Sequence, residues 1–342
     1  MPTLKDIAQN LDLSVMAISK ALRDAPDIGA ATKERVRREA DRIGYIPDHN
    51  ARSLRQGRTH LIGVLVQEIN EPFAAGVISG IEEAASEAGF QVILATSHQS
   101  EDMEMKMLQR MLEHKVEAVF IQTQVRMQHR SPVLDAARKY SIPLIFLDHY
   151  PADARQFSAV SWVVADCFQA GRIAATHLAE LGHQDILYFS GPPTASSTAD
   201  HLSGFSKGLS ESGIAYDDEK VFLTGLTVDG GRETMTRALN ESLEFSAIVC
   251  AHDAPAVGAI QILQANGVRV PEDVSVVGFG DGMLAAYGTV PLTTVSRAQV
   301  DMGTAALRHW VVNREQMLAG TRVQPRILPV DLVVRKSSAP RK

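Results

Sequence analysis

Leu4, Ile7, Ala8 and Leu11 recur at i, i+3, i+4 and i+7, which predicts a short amphipathic helix at the start of the chain. Thr3 and Asp6 give it a capping-box-like entry. Ser14, after a tight turn, is a good N-cap for a second helix with Ile18, Ala21 and Leu22 inward. Val15, Met16, Ser19 and Lys20 then face outward. A third helix is predicted from about 31 to 43, with Val36, Ala40 and Ile43 on its core face and Gly44 ending it. Two short helices joined so tightly read as a helix-turn-helix, whose second helix enters the major groove N-terminus first. Residues 1–46 are therefore expected to form an α-helical DNA-binding head.

Beyond residue 60 the pattern changes to short apolar runs separated by helical stretches. Strands are predicted at 61–66, 92–94, 119–121 and 144–147, with helices at 72–88, 101–114 and 132–140. A second series has strands near 160–164, 186–189, 247–249 and 274–277 and helices at 167–181, 202–212, 232–243 and 255–265. Such alternation means parallel α/β sheets, and two series suggest a two-lobed clamshell with ligand at the strands' carboxyl ends. Between head and body, residues 47–59 carry Leu54 and Ala51 among Arg52, Arg55 and Arg58. An apolar wedge among cations suits a hinge helix that opens a minor groove while holding phosphates. It is too short to stay helical alone and is expected to order on DNA.

Charge supports this division. Residues 1–60 hold 11 Lys+Arg against 8 Asp+Glu, a balance of +3, and the remainder holds 23 against 32, a balance of −9. A modestly basic head on an acidic body fits a head that meets polyanion. Cys167 and Cys250 lack metal-ligand spacing, which points to a reducing cytoplasm. No signal peptide or membrane-spanning run is read. Enzyme signatures are thin. Gly278-Phe279-Gly280-Asp281-Gly282 lacks a dinucleotide loop's third glycine, and no Walker loop, HExxH or Gly-x-Ser-x-Gly elbow occurs. His183 reads as a structural imidazole at a helix C-terminus.

TLKDIAQNLDLSVMAISKAL and IGYIPDHNARSLRQGRTHLIGVLV are followed by NEPF (70–73), HLAELGHQDILYFSGP (177–192), VPEDVSVVGFGD (270–281), PLTTV (291–295) and LVVRKSSAP (332–340). In that order and spacing the chain resembles the lactose/galactose-repressor family of bacterial transcription regulators, end to end. The resemblance implies a periplasmic-binding-protein-like body whose chain crosses between lobes near 161, 292 and 323. One lobe would hold about 60–161 plus 293–322, the other about 162–292 plus 323–338. It places base reading on Val15, Met16 and Lys20, phosphate contacts on Thr3, Ser14 and Ser19, and the minor-groove wedge on Leu54 with Ala51 and Arg55 beside it. Three departures bear on the operator sequence: Ala17 for a common Thr, Lys20 for Arg, and Asp48 for Asn.

The resemblance also places Glu71, Phe73, Ser97, Asp148, His149, His201, Leu226, His252, Asp253 and Gly280 with Asp281 around a ligand. His201 stands for a common Arg, His252 for Asn, and Gly280 for Asp. The anchors usual for a neutral sugar are therefore changed, and imidazoles that gain charge near neutral pH take their place. The chain reads as a cytoplasmic regulator, a repressor by expectation, without metal or cofactor. Its partners would be a pseudo-palindromic double-stranded operator, a second copy, and a sugar-like small-molecule effector. No heptads follow Leu332, so a helical tetramerisation segment is not expected. The competing readings are a small-molecule-binding protein without a regulatory role, and a regulator with a degenerate pocket controlled by a protein partner.

Overall fold

In the computed structural model, which describes residues 2–46, 58–123, 131–193, 195–241 and 243–342, the head's three helices are Leu4–Leu11, Val15–Leu22 and Ala30–Ile43. The amide and hydroxyl of Thr3 donate to the Asp6 carboxylate at 2.7 and 2.9 Å, fixing the first turn. Ser14 Oγ accepts from the Ala17 amide at 3.1 Å, and left-handed Gly44 ends the third helix. Ile7, Ala8, Ile18, Ala21, Val36 and Ala40 make the core. Only three of these are large, at about 1.5–3 kcal/mol of burial each. Leu4, Leu11, Leu13, Leu22, Ile28, Ile43 and Tyr45 pack against this core partly buried, and the helix caps add ~1 kcal/mol apiece.

His60–Lys342 forms a second compact unit, separate from Met1–Thr59. Its described residues form two six-stranded sheets, one parallel throughout and one parallel except at a single strand. The first is ordered β11-β5-β4-β3-β1-β2 and consists of β1 (Leu61–Val66), β2 (Gln91–Thr96), β3 (Val119–Ile121), β4 (Leu144–Leu147), β5 (Val160–Ala165) and β11 (Arg326–Leu328). The second is ordered β12-β10-β9-β8-β6-β7, with β6 (Ile186–Ser190), β7 (Val221–Leu223), β8 (Ala247–Cys250), β9 (Ser275–Gly280), β10 (Thr293–Ser296) and β12 (Asp331–Val333). Strand β12 alone pairs antiparallel, with β10. The buried runs Ile62 to Val66 and Ile186 to Ser190 show why the strands read as continuous apolar stretches: helices cover both faces.

The crossings between lobes differ from those implied by resemblance. Strand β5 pairs with β4 and so belongs to the first lobe, not the second. Strand β10 pairs with β9, which keeps 293–296 in the second lobe, and β11 pairs with β5, which returns 326–328 to the first. The chain therefore crosses just after Ala165, again between Ser296 and Gln299, and last between Leu328 and Asp331. A strand at a lobe boundary has the same apolar pattern whichever sheet it joins, so its pattern could not correct the crossings implied by the resemblance.

The helix Gln299–Leu318 covers the first lobe and was not read from sequence. It lies directly on Pro72–Glu87. A Cβ on Gly80 would come within 2.0 Å of the Val300 carbonyl oxygen, and one on Gly303 within 2.1 Å of the Val77 oxygen. Small residues at this contact let two backbones touch but give a weak hydrophobic signal. His183 also differs from expectation. Its Nδ1 meets Ser246 Oγ at 2.9 Å and its Nε2 meets the Ala339 carbonyl at 3.0 Å, so it fastens the C-terminal tail and not its own helix end.

Candidate DNA-reading head and interlobe cleft

The exposed surface of the second helix is what the sequence assigns to base reading. Met16 is 69% exposed and Val15 is also exposed, while Ile18 and Ala21 behind them are fully buried. Ser19 and Lys20 are half-buried. Thr3 and Ser14 stand at the helix entries, where their hydroxyls already serve Asp6 and the Ala17 amide. Ala51, Leu54 and Arg55 lie outside the described residues. Lys20 carries one feature that sequence did not reveal: its ammonium pairs with Asp27 in the turn after the helix. The lysine holds the Asp27 carboxyl below its ordinary range. A second turn acid, Asp24, takes Lys33 and Arg37, each at 3.1 Å.

An exposed pair of this kind contributes little to stability, so its expected effect is on the charge that Lys20 would bring to DNA. Asp27→Asn is expected to leave the head folded, to raise affinity for random-sequence DNA several-fold at low salt, and to steepen the slope of log affinity against log salt by about one. Filter binding across a salt series measures this. An unchanged slope would show that Lys20 already engages DNA as a free charge.

In the body, the carboxyl ends of both sheets open onto a cleft of about 560 Å³. Glu71, Phe73, Asp148, His149, Leu226, His252, Asp253 and Gly280 line it. Three of the sequence-assigned residues do not. Ser97 is fully buried in the first lobe. His201 sits one layer back, its Nδ1 2.8 Å from the Tyr188 hydroxyl and its ring 5.0 Å from that of Phe279. Asp281 turns away and pairs with Arg335 at 2.5 Å. The neighbouring Gly280 explains the missing acid: its φ is +141°, and a Cβ there would lie 2.9 Å from the Asp253 carboxylate. His149, His201 and His252 belong to no metal-holding cluster among the described residues.

The residue at the centre of the cleft is one that sequence reasoning missed. Arg297, whose side chain is 5% exposed, donates from Nη1 to Asp148 Oδ1 at 2.7 Å and from Nη2 to His252 Nε2 at 2.9 Å. Its guanidinium carbon lies 4.2 Å from the Phe73 ring centre and 5.0 Å from that of Phe279. The signal available was a lone Arg directly after PLTTVS, in a segment otherwise read only as a crossing. Its charge sets the local electrostatics. Against the cost of burial, Arg297 and then His149 hold the Asp148 carboxyl well below the carboxylate range. Burial first, and Arg297 second, depress the pKa of His201 and of His252 to about 3. Both imidazoles are therefore neutral at physiological pH, contrary to the expectation that they gain charge near neutrality. Asp253 is spent on structure: it accepts from Thr294 Oγ1 at 2.6 Å and from the Gly282 amide at 3.1 Å, and burial raises its pKa.

What faces the cavity is thus a set of amides and acids between apolar walls. Gln67, Gln99, Gln122 and Gln299 line it with Glu68 and Glu71, beside Phe73, Leu226, Phe279 and Leu284. Gln122 Oε1 is buried with no hydrogen-bond partner among the described residues. Amide groups offer donor and acceptor together, which suits hydroxyls, and apolar walls suit a sugar-like ring face.

Residues 3–48 match the family described as bacterial regulatory proteins, lacI family. Residues 59–316 match that described as periplasmic binding proteins and sugar binding domain of the LacI family. The HTH-type transcriptional regulator CelR of Thermobifida fusca is 30% identical over 343 residues, covering 98% of each chain. Among solved structures, a complex of a transcriptional regulator CelR with cellobiose is 29% identical, with a TM-score of 0.73 over 98% of this chain and 100% of that one. The lac repressor dimer bound to operator and the anti-inducer ONPF is 24% identical, with a TM-score of 0.85 over 99% of both chains, a likeness of fold. A helix-turn-helix head on a two-lobed sheet body, matched along nearly the whole chain by regulators of the same build, settles the kinship: the protein belongs to the LacI family of bacterial DNA-binding transcription regulators.

Proposed function

We propose that this regulator binds a pseudo-palindromic operator as a homodimer and responds to a neutral sugar held in the interlobe cleft. The observation that carries the ligand class is the charge of the cleft. Arg297 is the one Lys or Arg among the described residues lining it, and it is already paired with Asp148. Glu68, Glu71 and Asp253 line the cavity as well, the last two with pKa values raised by burial, so an anionic ligand meets acids and no unpaired cation, while hydroxyls meet the amides of Gln99 and Gln122 and the amide oxygens of Gln67 and Gln299, whose nitrogens already donate to the Thr123 and Gly280 carbonyls. The CelR structure holds cellobiose, and the cleft volume lies within the range of pockets that enclose such ligands. Support for self-association comes from the exposed apolar side chains of Met283 and of Tyr287, which is 83% exposed, and from the dimer seen in the lac repressor.

The chain is read as a binder and not an enzyme, acting in the cytoplasm. Its relatives are named as transcriptional regulators, and the cleft acids Asp148 and Asp253 are engaged by Arg297, Thr294 and Gly282. No described helix is long and apolar enough to cross a membrane. Calorimetric titration with cellobiose, glucose, glucose 6-phosphate and gluconate tests the ligand class. The neutral sugars are expected to bind and the two anions to bind at least about tenfold more weakly, a difference of ~1.4 kcal/mol. Tighter binding of either anion overturns it. Filter binding to genomic fragments, with and without the sugar that binds, tests the regulatory response.

A further inference from the structure

We propose that Arg297 is a latch between the two lobes, and that an effector acts by competing for one of its arms; this rests on the reading of the cleft as the effector site. Arg297 lies on the second crossing, after β10 of the second lobe and before the helix Gln299–Leu318 of the first. From that position each lobe grips it in the same way, with one aromatic face and one acceptor. The first lobe supplies Phe73 from the helix Pro72–Glu87 and Asp148 from the end of β4. The second supplies Phe279 from β9 and His252 from the end of β8. A planar guanidinium with a rigid fork can serve two acceptors and two ring faces at once, which an ammonium cannot.

The two arms differ in kind. Asp148 is a charged partner that opposes the guanidinium charge directly. His252 is neutral, and its Nε2 must be an acceptor to receive the Nη2 hydrogen. A ligand hydroxyl oxygen is also a neutral acceptor, so it can replace His252 on Nη2 without leaving a buried charge unpaired. It cannot replace Asp148 at so little cost. Occupation of the cleft thus frees the second lobe's arm while the first lobe keeps the arginine. The groups facing this position are Glu71, 3.9 Å from His252 Nε2, with Asp253 and His201 behind. None of them can take over the bridging role of a donor fork.

The test uses the full-length chain with spin labels at Glu113→Cys in the first lobe and Glu241→Cys in the second; both positions are exposed, and native Cys167 and Cys250 are buried. Labelled chain is diluted with unlabelled chain so that each dimer carries one pair. Electron–electron distance measurement without sugar is expected to show one narrow population in the parent. In Arg297→Met it should be broadened or shifted by more than about 2 Å, the scale of a domain rearrangement. Arg297→Lys, which keeps the charge but not the fork, should broaden it too, and it guards against poor folding of the Met variant. Parent-like distributions in both variants overturn the latch. Operator binding by the same samples is read separately: a parent that binds no DNA overturns the regulatory reading, while the distances still decide the latch. Cellobiose added to the parent should broaden or shift its population as Arg297→Met does. If cellobiose binds the parent and the distances stay fixed, the competition step is overturned.

Discussion

Leu54→Ala is expected to lower affinity for the specific operator by about a hundredfold or more, with the fold of head and body unchanged. A single large apolar side chain stands among Arg52, Arg55 and Arg58. Unstacking a base step costs a few kcal/mol, and an inserted leucine offsets that cost by covering the exposed faces. Alanine is too short to do so, and each ~1.4 kcal/mol lost is tenfold in affinity. The neighbouring cations are untouched, so weak salt-dependent binding to random DNA should change little. Filter binding on operator and random duplexes measures both. Equal operator affinity for parent and variant would remove the wedge from the mechanism.

The second large effect is on stability against acid. His201 and His252 have folded pKa values near 3 against 6.5 for a free imidazole. Below pH 6.5 the unfolded chain binds protons at both positions and the folded chain does not. The stability contributed by these neutral imidazoles is therefore complete above pH 6.5 and is lost progressively as pH falls toward 3. At pH 5 the loss is about 2 kcal/mol for each, at ~1.4 kcal/mol per pH unit. His177, His183 and His309, which burial also depresses, act with the same sign. Glu71, Asp200 and Asp253, whose carboxyls burial raises, take up protons in the folded state and oppose the trend at the acid end. The Tm of the body should fall by roughly 10 °C between pH 7.5 and 5. His201→Gln, which keeps a partner for Tyr188, should flatten part of that slope. A Tm constant across this range would show that the two imidazoles are not held neutral.

Much of the fold was legible because its signals are local. The three head helices carry caps at Thr3 and Ser14, a stop at Gly44 and clean periodicity, and the long buried strands read as apolar runs. Of the three-residue strands, β3 is apolar and buried throughout and was legible, whereas β7, β11 and β12 carry exposed positions and were not. The cleft was legible where strand ends meet it: Glu71, Phe73, Asp148, His149, Leu226, His252, Asp253 and Gly280 all line it. It was not legible where side-chain direction decides. His201 lies on a helix face turned toward Tyr188, and Asp281 points to Arg335, 54 residues along the chain. Arg297 is the clearest case, since its partners at 73, 148, 252 and 279 are brought together only by two separate lobes.

The three crossings, after Ala165, after Ser296 and after Leu328, give the lobes three mechanical tethers side by side. A single tether would let one lobe swivel freely on the other. Three tethers resist twisting and sliding and leave bending about their common line as the soft motion. Ligands of different fit are then expected to differ in how far they bend the body along one coordinate, a weak effector being one that stops the bend early.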